Sequence, residues 1–294
     1  MRFALPRFMI AEGPLPWLLP LIAMLLVFAV FPLGYNLWLS FHEFVPMRRS
    51  LEPVGFDNWA RLFSDSRLHT ALTITLTYTF VCLAIQLVLG FLIALLLDDD
   101  GAGFGIMRAL FSLALVIPPA ITGMMFKLYQ DPQFGMIAWA LDQIGAIDRS
   151  TPILATPAYA LAGVMLADIW QWTPFMVLIF LAGIRGVPRD PIESAMIDGA
   201  GYWQIQTKIV LPMLGKVMAV AILIRGIDLF RAFDYMFVMT SGGPGIATYT
   251  LSLYTWKSFA ESLRWGYGAT LALVALILIQ ILANLFIWRA RIRW

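Results

Sequence analysis

The sequence predicts an all-α integral membrane protein with six transmembrane helices, and three observations carry that prediction. Of 294 residues, 61% are hydrophobic and only 13% are charged, against about half and about a quarter in soluble domains. A globular core cannot hide that much apolar surface without leaving large exposed patches, whereas lipid solvates it. Six apolar stretches, at about 15–41, 71–97, 109–128, 157–183, 215–239 and 267–288, match the roughly 20 residues needed to cross a ~30 Å hydrocarbon core. An aromatic share of 14%, with 11 Trp, suits rings anchored at two membrane interfaces.

The first stretch follows Arg2 and Arg7 and has the outline of a secretory leader. Its apolar part, from about Trp17 to Phe41, is too long for a leader's core and no small-residue cleavage site follows, so it reads as a retained helix. A polar segment with His42 and His69 at its edges leads to the second stretch, which contains Cys82, the one cysteine. With no Cys/His cluster, the sequence offers neither a disulfide nor a metal site. Asp98, Asp99 and Asp100, then Gly101, Gly103 and Gly105, form a flexible link. No Gly-x-x-x-x-Gly-Lys-Ser/Thr loop occurs, so this chain does not cradle nucleotide phosphates.

The third stretch carries Pro118 and Pro119, which remove two backbone donors and should kink or interrupt the helix. Such a break is tolerated at membrane depth only against protein or a water-filled cavity. The fourth holds Asp168-Ile169-Trp170-Gln171-Trp172-Thr173-Pro174-Phe175. A carboxylate, an amide and two indoles suit a sugar, with polar groups for hydroxyls and flat rings for the apolar pyranose face; the competing reading is an interfacial aromatic belt. In the fifth, Arg225, Asp228, Arg231 and Asp234 recur every three residues. Ionisable groups inside a membrane are costly and face a partner or a cavity. Pairing along the helix, Arg225 with Asp228 and Arg231 with Asp234, would make an ion-pair ladder with no ligand role. Three residues fall short of one 3.6-residue turn, so the ladder drifts and some members face the bundle interior.

The sixth stretch ends in Arg289, Arg291 and Arg293. An even number of spans puts both termini on one side. That side holds ten Lys and Arg against eight opposite, and the cluster at the end of the sixth helix places it in the cytoplasm. No basic run interleaved with aromatics points to nucleic acid. The chain reads as one membrane domain over residues 1–294, with membrane lipid as its surroundings.

The segment 184–214 encodes a helix, a bend and a second helix. Asp190 reads as an N-cap, with Pro191 at the first helical position and Glu193 three residues after the cap. Gly199 and Gly201 bracket a stop and a bend, and Pro212 marks the return to the membrane. This arrangement puts Ala195, Met196, Tyr202 and Trp203 on a protruding knob. An apolar knob in water needs a partner, unless it rests on lipid headgroups.

Glu193-Ser194-Ala195, then Asp198-Gly199-Ala200, then Ile209-Val210-Leu211-Pro212, resembles the Glu-Ala-Ala loop of importer-type ABC transporter permeases, with Ser194 where that motif usually has Ala. Gly55-Phe56-Asp57-Asn58-Trp59 is similar to that family's external entry segment. Phe233-Asp234 followed by Met239-Thr240-Ser241-Gly242-Gly243-Pro244-Gly245 is similar to the larger-type permease of the maltose-transporter, carbohydrate-uptake group, and the C-terminus lacks the Gly/Lys tail of the companion permease. Asp98–Asp100 departs from relatives that are basic there.

The resemblance implies a type I importer permease in the bacterial inner membrane, with the coupling helix in the 188–212 loop seated on an ATPase. It assigns Glu193, Ser194, Ala195, Asp198, Gly199, Ala200, Leu211 and Pro212 to that dock. It also implies partners: a second homologous permease, two nucleotide-binding ATPase subunits that carry the ATP and Mg, and an external solute-binding protein. The permease itself is expected to be no enzyme and to hold no cofactor. In maltose-type relatives the solute lies between the helices flanking the loop. Here that correspondence falls on Asp168, Gln171, Trp172, Phe175, Arg225, Asp228 and Ala232, the first six being expected to line the pathway. A sugar, oligosaccharide, polyol or sugar derivative all fit. A self-sufficient secondary transporter is the alternative; it predicts inverted repeats with paired broken helices, and only one proline break is visible.

Overall fold

The structure, a computed structural model, describes residues 15–99 and 101–290. Arg2, Arg7, Arg291 and Arg293, which entered the charge reading, and Asp100 of the acidic link lie outside the described residues. In chain order, α1 (Trp17–Leu39) leads into a hairpin of β1 (His42–Val45) and β2 (Ser50–Pro53), then α2 (Asp57–Arg61) and α3 (Ser66–Leu97). There follow α4 (Phe104–Val116), α5 (Pro119–Tyr129), α6 (Met136–Gln143) and α7 (Pro157–Arg185). After α8 (Asp190–Ile197), α9 (Tyr202–Met213) and α10 (Gly215–Phe230), the chain ends with α11 (234–240), α12 (251–261) and α13 (Trp265–Arg289).

Four helices, α1, α3, α7 and α13, are long and apolar enough to span a membrane, and the total reaches six if each of two bent pairs is one span. The first pair, α4 with α5, turns by 97° at the Ile117–Pro118 link, where the sequence places its proline break. The second, α9 with α10, turns by 67°. The single helix expected over 215–239 is instead divided: α10 stops at Phe230, residues 231–233 are non-helical, and α11 follows. Thr250 Oγ1 donates to the Ala232 carbonyl at 3.1 Å, so protein satisfies backbone that the break leaves open.

Two compact units are present, one of residues up to 64 with 255–274, the other of 65–254 with 275 onward. In the first, α1 is exposed throughout 17–35, as suits a helix apolar on all sides and solvated by lipid. The hairpin pairs His42 with Pro53 and Val45 with Ser50; the sequence marks this region only as polar. Asn58 Nδ2 donates to the carbonyls of Ser40 and His42, both at 3.0 Å, and Phe44 stacks on Trp265 with ring centroids 3.9 Å apart.

In the second unit, α3 and α7 run closely against each other. Gly90 makes that approach possible, because a Cβ there would lie 2.5 Å from the Met176 Cβ. α10 packs on both helices, and Ala94, Leu97, Met176, Phe180, Leu181, Leu214 and Ala221 form the shared core. Asp65 caps α3, its Oδ1 accepting from the Arg67 and Leu68 amides at 3.0 and 3.4 Å.

Candidate functional site

On α7, positions 168, 171, 172 and 175 share one face at helical spacing. Asp168 and Gln171 on that face, and Arg225 on α10, are each at most 2% exposed. Placing two charges there costs several kcal/mol per ion unless they pair and their remaining valences are bonded. Here they are. The Arg225 Nη2 donates to Asp168 Oδ1 as a buried ion pair. Gln86 of α3, fully buried, donates from Nε2 to Asp168 Oδ1 at 2.8 Å and to the Asp168 carbonyl at 3.2 Å. Its Oε1 accepts from Arg225 Nε at 3.0 Å.

A second set of bonds continues from this pair. The Arg225 guanidinium lies 4.6 Å from the Trp172 ring centroid, a cation–π contact strengthened by desolvation. Trp172 Nε1 donates to the Tyr235 hydroxyl at 3.2 Å, and that hydroxyl donates to Gln171 Oε1 at 2.5 Å. Gln171 Nε2 donates to the Ile117 carbonyl in the extended link between α4 and α5. One network therefore joins α3, α7, α10, α11 and the proline break. Phe175, half-buried, sits edge-on to Trp172 with centroids 6.1 Å apart.

Of the six residues expected to line a solute path, five, Asp168, Gln171, Trp172, Phe175 and Arg225, come together. Asp228 does not: it is exposed on α10. The ladder Arg225–Asp228 and Arg231–Asp234 is absent among the described residues. Arg225 pairs across to α7 instead, and the end of α10 at Phe230 separates the second couple. Sequence reasoning missed Gln86 and Tyr235. Gln86 did carry a signal, as the one amide side chain in the apolar run 71–97. Tyr235 carried none.

At the other end of α7 the elbow forms as a helix, a bend and a helix. α8 begins at Asp190, so Arg189 is the residue before the helix and its carbonyl accepts from the Glu193 amide at 2.9 Å. The capping box expected from Asp190 and Glu193 is therefore not made; Pro191 sits inside the first turn, shifting the cap one residue earlier. Beyond α8 the Ala200 amide reaches the Ala195 carbonyl at 2.9 Å and the Gly199 amide reaches that of Met196 at 3.1 Å. This pattern is a Schellman stop, and Gly199 supplies its left-handed residue at φ +81. Gln204 Oε1 then accepts from the Gly201 amide at 3.1 Å, opening α9.

Glu193, Ser194, Met196, Ile197, Asp198, Gly199, Tyr202, Trp203 and Pro212 are exposed. Ala195, expected on the outer knob, turns inward with Ile192 and Ala200 and packs on the core beneath, because the Schellman closure draws both alanines under the bend. Leu211 is half-buried. Elsewhere in this unit, α3, α10 and α13 enclose an apolar groove of about 320 Å³, with Phe80, Ile227 and Phe286 on its walls. None of the polar network reaches it.

A family model described as "Binding-protein-dependent transport system inner membrane component" matches residues 86–290. The trehalose/maltose transport system permease protein MalF of Thermococcus litoralis is 32% identical over 264 residues, 89% of this chain and 88% of that one. The trehalose transport system permease protein SugA of Mycobacterium tuberculosis is 30% identical over 281 residues, 94% of this chain and 89% of that one. The sulfoquinovosyl glycerol transport system permease protein SmoG of Agrobacterium fabrum is 29% identical, covering 87% and 83%. Among solved structures, a bacterial ABC transporter involved in the import of the acidic polysaccharide alginate contains a chain with a TM-score of 0.79 over 94% of each chain at 22% identity, a likeness of fold.

Proposed function

The chain belongs to the binding-protein-dependent transport system inner membrane component family, and from that membership we propose that it is the permease of an ATP-driven importer of a carbohydrate. It is a multi-pass membrane protein, and ATP hydrolysis resides in separate subunits. The finer assembly comprises a second, homologous permease, two ATPase subunits carrying nucleotide and Mg, and a binding protein that delivers the solute from outside. Both chain termini and the elbow then face the cytoplasm. Relatives whose names specify trehalose, maltose and sulfoquinovosyl glycerol support the solute class, covering sugars and their derivatives.

One observation carries this reading: the two helices that flank the elbow are the same two that the Asp168–Arg225 pair joins. From Asp168 to the end of α7 is 17 residues, about 26 Å of helix at 1.5 Å per residue. The exposed Glu193, Asp198 and Met196 offer the ATPase a rigid handle, and α7 and α10 carry its closure to the buried polar groups. The solute site then comprises Asp168, Gln171, Trp172, Phe175 and Arg225; Asp228, exposed on α10, is not among them. Closure rocks these helices so that the site opens to one side and then the other.

The test is reconstitution of the permease pair, the ATPase and the binding protein in proteoliposomes, with uptake measured for a panel of small carbohydrates. We expect ATP-dependent uptake of at least one member. Glu193→Lys is expected to abolish both uptake and copurification of the ATPase. Uptake persisting without any ATPase would overturn the proposal in favour of a self-sufficient transporter.

A further inference from the structure

The Asp168–Arg225 pair uses only part of its hydrogen-bonding capacity. Among the described residues, bonds reach the Asp168 carboxylate through Oδ1 and leave Arg225 through Nε and Nη2; Oδ2 and Nη1 hold none. The two charges cancel, yet the acceptor atom Oδ2 and the donor atom Nη1 stay unused.

Gln86 touches both partners at once. Its Nε2 faces the carboxylate and its Oε1 faces the guanidinium. The reverse orientation of the amide would oppose donor to donor and acceptor to acceptor, so the network itself fixes which end points where. The side chain has no room to swing. It is fully buried, on the same α3 face as the fully buried Cys82 and Tyr78 one and two turns away, and Gly90 one turn further on holds α3 hard against α7.

We infer that Gln86 is a positioning residue of the solute site. It clamps one oxygen of Asp168 and one edge of Arg225, and so holds Oδ2 and Nη1 available for the hydroxyls of an uncharged carbohydrate. A sugar hydroxyl can donate to the carboxylate and accept from the guanidinium in the same bound pose. The site thereby gains a third wall, α3, beyond the two helices that flank the elbow. This inference rests on the reading of Asp168 and Arg225 as solute-binding.

The experiment uses the reconstituted complex, with trehalose as probe or whichever member of the carbohydrate panel is taken up fastest. Gln86→Leu keeps the volume and removes the clamp. The expected result is roughly a tenfold rise in the half-saturating solute concentration, the size that follows from losing hydrogen bonds to charged groups. The maximal rate per assembled complex should stay within about twofold. An unchanged half-saturating concentration, with only the yield of complex or the maximal rate reduced, makes Gln86 a structural residue and overturns the inference. Should Gln86→Leu fail to assemble, Gln86→Glu, which retains the acceptor for Arg225, is measured instead against the same two outcomes. In parallel, Asp168→Asn distinguishes the two levels: if that change leaves uptake untouched, the solute site itself has been misplaced, whatever Gln86 does.

Discussion

Asp168 and Arg225 are worth more as a pair than either is alone. Removing one partner by Asp168→Ala strands a buried guanidinium and should cost about 3–5 kcal/mol of stability, seen as early unfolding of the detergent-solubilised complex. Replacing both, as in Asp168→Leu with Arg225→Met, removes the desolvation cost together with the attraction, and buried pairs treated this way are often neutral in stability. The double variant should therefore assemble and hold its melting temperature while uptake is lost. Retained uptake in that variant would show the pair to be scaffolding. Glu43, outside the spans, behaves differently. Burial in the hairpin region pushes its carboxyl above the ordinary 4.5 despite backbone bonds from Phe44, Tyr267 and Gly266. A raised acid favours the protonated fold. Its stabilisation is present below the ordinary value and fades as pH rises through the raised one. Glu43→Gln should flatten that part of the pH–stability profile and make the first unit more resistant to unfolding at neutral pH.

Two glycines decide how the elements meet. Gly199 at φ +81 closes the elbow, and a side chain in that left-handed conformation costs about 1–2 kcal/mol. Gly199→Ala should fray the end of α8 and weaken ATPase capture, measured as a faster dissociation rate, while the spans remain intact by circular dichroism. Gly90→Val attacks another joint. With even a Cβ only 2.5 Å from that of Met176, the α3–α7 contact must open at a cost of about 1–3 kcal/mol or more. Lower yield of folded permease is the expected outcome. The proline break belongs to this scale too. Pro118 and Pro119 announce it locally, yet the partner of the Ile117 carbonyl is Gln171, 54 residues away.

For the molecule as a whole, the decisive property is what the chain delegates. It holds no phosphate-binding loop, so the isolated permease should bind no fluorescent ATP analogue, and nucleotide binding should appear only when the ATPase is added back. Saturable binding by the chain alone would place a nucleotide site where none is expected. On the function proposed above, the energy for transport would enter at the elbow and reach the polar network through α7 and α10, so coupling would be a mechanical matter of two helices.

The amino-acid sequence alone determined the four continuous apolar spans and their order, the break at Pro118 and Pro119, and the elbow with its stop at Gly199; it did not show the division of the fifth apolar stretch at 231–233. Each is a local consequence of chain chemistry: a run of apolar residues long enough for lipid, a missing backbone donor, a residue free to adopt positive φ. Whether Arg225 would meet Asp228 or Asp168 was not local. Spacing along α10 favoured the former, and packing of α10 against α7 chose the latter, 57 residues away. Gln86 and Tyr235 entered the network the same way. Periodicity says which face of a helix is polar; only the tertiary structure brings two such faces together, because the cost of an unpaired buried charge is paid by whichever partner the fold supplies.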